Sequence, residues 1–182
     1  MIPVEVVFCF LIGVFGLIGT GRKFPVELGA TIGFTAMLLS LLLAGDRLSR
    51  LSTRAADAAG LGLEESLVRW LGISLFIGLW VGFMYVGQTL TFTGTWPPSR
   101  IVGTLLDAAV GLFNGWLVIG SWWHYSHALG YPLRHLGWFE PPVSATAESL
   151  VSLTPPAIVP EGHGVLLVTA FLVFLLALRV FR

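Results

Sequence analysis

Charge is scarce in this 182-residue chain: Asp, Glu, Lys and Arg make up 11% of it, against the roughly one quarter usual in soluble domains. Lys and Arg total 10, and so do Asp and Glu, which leaves no global basic field to attract nucleic acid. The single cysteine, Cys9, excludes an internal disulfide; set in an apolar run, it reads as a small buried hydrophobe. No basic leader opens MIPVEVVF and no Ala-x-Ala site follows it, so the first segment is expected to stay as a membrane helix. A nucleophile elbow, a Walker A loop, paired catalytic carboxylates and Cys/His zinc spacing are all missing. The chain is therefore not expected to be an enzyme or to hold a metal.

Hydrophobicity is what it has. Hydrophobic residues make up 55% of the chain, its mean hydropathy is +0.87, and it carries Gly 22, Trp 7 and Phe 13. Glycine packs membrane helices and aromatic residues line their interfaces. The pattern predicts an all-α membrane protein, a polytopic bundle of four to five transmembrane helices. A four-helix membrane domain is expected over 1–129, with helices at about 4–18, 26–44, 70–92 and 100–125. Pro25 stands where the second helix begins, Glu27 suits its first turn, and Gly60-Leu61-Gly62 marks a break before the third. Pro97 and Pro98 stop the exit from the third helix, and Ser99 is a plausible N-cap for the fourth.

Between the second and third helices, Arg47, Arg50 and Arg54 fall on one side and Leu48, Leu51 and Ala55 on the other. That pattern suits an interfacial helix over 46–59 with its basic face towards headgroups, and a plain cytoplasmic loop is the alternative. Residues 130–164 form a proline-broken extramembrane loop with room for a short helix around Ser144 to Leu153, and 165–182 form a C-terminal apolar helix. Loop charges do not set the orientation. Arg47, Arg50, Arg54, Arg69 and Arg134 on one side face Arg22, Lys23, Arg100, Arg179 and Arg182 on the other.

Within Ser99–Trp123, Gly103, Asp107, Gly111 and Gly115 recur every four residues, so small residues and an acid share one helix face. Gly111-x-x-x-Gly115 has the spacing for close helix approach, and Gly29/Gly33 and Gly78/Gly82 repeat it. Gly13, Gly16 and Gly19 give the first helix a small-residue face as well. Asp107 has two readings. It is an interhelical hydrogen bond or ion pair, with Arg100, Arg22 or Asn114 as partner, or it is the proton or cation site of a channel or transporter. His124 and His127, three apart on one face, offer a further reading, a subunit holding haem or a chlorophyll-type pigment. Against this, no carboxylate or cysteine completes a site near them in sequence.

Two pieces resemble the colicin V production (CvpA) family over roughly residues 1–125. Thr20-Gly21-Arg22-Lys23-Phe24-Pro25-Val26-Glu27-Leu28 is similar to that family's Gly-x-Arg-Gly-x-x-x-Glu-Leu segment between its first two helices. Ser99-Arg100-Ile101-Val102-Gly103 with Gly111 and Gly115 is similar to its later Arg-x-x-Gly helix with spaced glycines. Thr20 and Lys23 stand where the family commonly carries its two glycines, and Glu5 replaces an acid placed further along the first helix. The resemblance implies a multi-pass protein of the bacterial inner membrane, linked to colicin V export and envelope maintenance, with no established enzymatic chemistry. Together with the abundance of packing signals, it leads to the expectation of a structural or accessory protein. Such a protein would act in the bilayer beside other membrane subunits, or as a small subunit of a larger complex.

Overall fold

The protein is described here by a computed structural model covering residues 2–86, 92, 100–136, 139–140, 145–159 and 163–180. It is an all-α bundle. Among the described residues, four helices are long and apolar enough to cross a membrane: Val4–Arg22, Phe24–Ala58, Glu65–Val86 and Ile101–Ala128. The expected Ser99 N-cap, the exit through Pro97 and Pro98, and the side chain of Arg100 lie outside the described residues.

Helix α1 (Val4–Arg22) has Glu5 in its first turn and Arg22 in its last, the charge order that the helix dipole favours. One residue, Lys23, separates it from α2 (Phe24–Ala58), which carries Pro25 in its first turn. Helix α2 does not stop at Gly45-Asp46. It continues as one rod of 35 residues, about 52 Å long, so 46–58 extends the second span and is not a separate interfacial helix. The reason is packing: past Gly45, Ser52 lies half-buried against Gly72 of α3, so the helix keeps a packed side after its apolar run ends. It ends where expected. Gly60 takes a φ of +64°, its N–H donates to Asp57 O at 3.0 Å, and Leu61 N–H donates to Ala56 O at 3.1 Å, a Schellman stop.

Helix α2 is the central element, with 61% of its most apolar window buried, against 28% for α1 and for α3 (Glu65–Val86). Phe34 and Met37 on α2 and Ile73 on α3 are fully or almost fully enclosed, together with Leu117 and Val118 of the fourth span. On its outer side α3 exposes Leu71, Leu75, Leu79 and Phe83, an apolar surface that suits lipid. Cys9 also faces outward and is not the buried hydrophobe its surroundings predict; in a membrane helix an apolar neighbourhood in sequence does not imply the bundle interior.

The fourth span consists of α4 (Arg100–Gly115), a π-helical turn (Trp116–Gly120) and α5 (Ser121–Ala128). The wide turn marks where a second layer docks. A Cβ on Gly120 would stand 2.7 Å from Pro155 Cδ, and the Trp116 indole donates to Leu153 O at 3.0 Å. These partners belong to α6 (Ala145–Ser152) and α7 (Pro155–Ile158) with their connecting turn, so the expected short helix forms and packs on the bundle. Helix α8 (Gly164–Val180) has 17 residues, about 26 Å. It lies on α2, where Leu172 and Leu175 meet Leu28, Ile32 and Phe92. A two-residue parallel bridge joins Ile2–Pro3 to Phe139–Glu140.

Candidate functional site

The buried acids and the buried amide of the bundle gather near the turn between α1 and α2. Glu27 and Asn114 are fully buried, and Asp107 is 4% exposed. Buried charges persist only when paired and hydrogen-bonded, and here the partners come from three helices.

Arg22 Nε donates to Glu27 Oε1 at 2.7 Å, joining the last turn of α1 to the first of α2. The same guanidinium donates from Nη1 to Tyr85 O at 3.3 Å and stacks over the Tyr85 ring, 4.5 Å from its centre. The other carboxylate oxygen, Oε2, accepts from Asn114 Nδ2 at 2.8 Å, and that amide also donates to Glu27 O at 3.0 Å. Thr31 completes Asn114 by donating to its Oδ1 at 2.8 Å. The Tyr85 hydroxyl is buried with no hydrogen-bond partner among the described residues.

Asp107 works one turn outward. Its Oδ1 accepts the backbone N–H of Phe24, the first residue of α2, and its Oδ2 is 3.5 Å from Lys23 Nζ. The N-cap position, Lys23, supplies no side-chain cap of its own. The carboxylate of one helix thus caps the N-terminus of another, where both the free N–H and the dipole favour an anion. Of the partners the sequence suggests for Asp107, Arg22 and Asn114 bind Glu27 instead. Glu27 reaches deeper into the bundle and faces both.

Glycine makes this approach possible. A Cβ on Gly19 would sit 2.4 Å from Asp107 O and 2.8 Å from Gly111 Cα, and one on Gly111 would sit 2.4 Å from Phe15 O. A Cβ on Gly115 would come within 2.7 Å of Phe15 Cβ, and one on Gly16 within 2.9 Å of Leu112 Cδ2. Helices α1 and α4 therefore touch backbone to backbone. Gly103 and Gly29 are buried. A Cβ on Gly33 would meet Met84 Sδ and Cε at 2.3 Å, and Gly33 O accepts from the Trp80 indole at 2.9 Å, so it holds α2 against α3. Gly78 and Gly82 must be taken out of the packing set, since each is exposed and has nothing within 4 Å of a Cβ position. Their spacing is real, but it lies on the outer side of α3.

His124 and His127 turn to different partners. His124 Nδ1 lies 3.4 Å from Thr154 Oγ1, and His127 Nδ1 lies 3.3 Å from Tyr131 Oη. Burial pushes the Tyr131 hydroxyl up to about 12, so it stays neutral near pH 7, and it also accepts from the Trp123 indole at 3.0 Å. Among the described residues, no group of three or more His, Cys, Asp or Glu side chains gathers in a ligand set.

Sequence reasoning missed Glu27 as the innermost acid, because a carboxylate in a first helical turn is fully explained by the dipole. The signal was one step away. Asn114 sits beside Gly115 on the packing face of α4, where a buried amide requires polar company.

No family model matches the chain. Neither a curated protein nor a solved structure matches it.

Proposed function

We propose that this chain is an accessory membrane protein, a pre-packed helical body that supports an assembly or the envelope and carries out no chemistry of its own. The observation that carries this reading is the use made of both interior acids. Glu27 is taken up by Arg22 and Asn114, while Asp107 is taken up by Lys23 and the start of α2. An ion carrier keeps its acid able to exchange partners with a passing cation. These acids serve as fasteners between helices.

The resemblance to the CvpA family suggests the setting, a bacterial inner membrane and a part in colicin V export or envelope maintenance. The backbone of the turn supports it in one respect. Lys23 takes a φ of 75° and a ψ of 147°, which favours glycine, and glycine is what that family commonly carries there. Purification in a gentle detergent followed by mass spectrometry tests the accessory role. Other membrane subunits or envelope proteins should co-purify in fixed proportion, and a chain that is consistently recovered alone would contradict it.

A further inference from the structure

At the opposite end of the bundle from the Arg22–Glu27 pair, α2 leaves its apolar run and turns Asp46, Ser49 and Arg50 towards α3 and α5. A cavity of about 230 Å³ opens there, lined by these three with Arg69, Tyr125 and an apolar wall that includes Leu129. That is the liquid volume of roughly eight waters, more than a bare ion fills. Asp46 and Arg50 stand exposed at its rim, while Ser49 and Arg69 are half-buried. Arg69 gives its Nη2 to Glu65, but its Nε is buried with no hydrogen-bond partner among the described residues. A buried guanidinium N–H left unmade is costly, and Arg69, which lines the cavity, therefore gains from an acceptor that arrives there.

The charges of the lining narrow the choice. Two guanidinium groups suit a phosphate, which they bind with paired donors. Asp46 adds a carboxylate within the same cavity, and Glu65 offsets Arg69, so the cavity carries no strong excess of positive charge. A purely anionic group gains little from such a balance. A group with both signs matches it. The position sets the source, because the cavity lies where the apolar spans meet their charged ends, beside Tyr125 and against Ile73, at the level of aromatic belts and headgroups.

We infer that this cavity seats a phosphatidylethanolamine headgroup, with its phosphodiester on Arg50 and Arg69 and its ammonium on Asp46. A primary ammonium donates hydrogen bonds to a carboxylate, whereas the quaternary ammonium of phosphatidylcholine has none to donate. The inference needs only the membrane location and is independent of the accessory role.

Native mass spectrometry of the whole protein, released from micelles doped with one lipid at a time, tests it. The wild type should retain phosphatidylethanolamine about tenfold more than phosphatidylcholine. Arg50→Gln should lose most of that retention, Arg50→Lys should fall between, and Arg47→Gln, on the same helix outside the cavity, should match the wild type. Asp46→Asn should shift the preference towards phosphatidylglycerol, a switch that an unfolded chain does not show. Equal retention of the ethanolamine and choline lipids, or an Arg50→Gln profile like the wild type, would overturn the assignment. Displacement of the lipid by millimolar inorganic phosphate would overturn it too, by reassigning the cavity to a free anion.

Discussion

Glu27 has no contact with solvent, so its charge rests on what Arg22 and Asn114 supply. Removing one member of a buried ion pair costs more than the pair contributes, because the other charge is left behind. Glu27→Ala is therefore expected to lower stability by about 3 kcal/mol, read from thermal unfolding in detergent. Replacing both members, Arg22→Met with Glu27→Leu, should recover most of the loss. Failure to recover would show that Asn114, which keeps only Glu27 O and Thr31 as partners in that variant, matters more than the charge. Lys23 offers the opposite experiment. Its side chain is 66% exposed and adds little through Asp107, while its backbone occupies a region that costs about 1–3 kcal/mol for any residue but glycine. Lys23→Gly should raise the unfolding temperature, and a fall would place the Asp107 contact above the backbone strain.

At the scale of the helices, the contact between α1 and α4 depends on the missing side chains of Gly19 and Gly111. A methyl on Gly111 meets the Phe15 carbonyl, which is backbone and cannot swing aside. Gly111→Ala should therefore cost about 1–3 kcal/mol, the usual range for overpacking. Gly78→Ala and Ala109→Leu, both on outward faces, should change stability by less than about 0.5 kcal/mol. Equal losses at all three positions would contradict the packing described. The four-residue glycine spacing was legible in the sequence on three helices, but spacing defines a face without saying what the face meets. On α4 it meets α1, and on α3 it looks outward. The spans were legible from hydropathy and the end of α2 from Gly60. Its passage through Gly45-Asp46 was not, because the Ser52–Gly72 contact that extends it joins residues of different helices. The π-helical turn at Trp116–Gly120 left no sequence signal, since it answers to Pro155, which arrives from far along the chain.

Taken as a whole, the molecule has two polar ends of different character. Near Arg22 the acids are internal, paired and set beside the glycine contacts, and they lock α1, α2 and α4 together. Near Arg50 they line an open cavity and look outward for a ligand. The site was partly legible: Asp107 and Asn114 stood out by position, but their partners depend on how far α4 slides along α1, which one-dimensional spacing does not give. The most direct test of the structural role of the interior acids is proton and cation flux in proteoliposomes for the wild type and Asp107→Asn, matched for folded protein, with Asp107→Leu followed by thermal unfolding. Asparagine still offers an oxygen to Phe24 N–H, whereas leucine removes that acceptor, a loss of about 1–2 kcal/mol at a helix N-terminus. The expected result is no flux that distinguishes Asp107→Asn from the wild type, and a lowered unfolding temperature for Asp107→Leu. A wild-type flux abolished in Asp107→Asn, with the folded yield unchanged, would contradict it and make Asp107 an ion-carrying group.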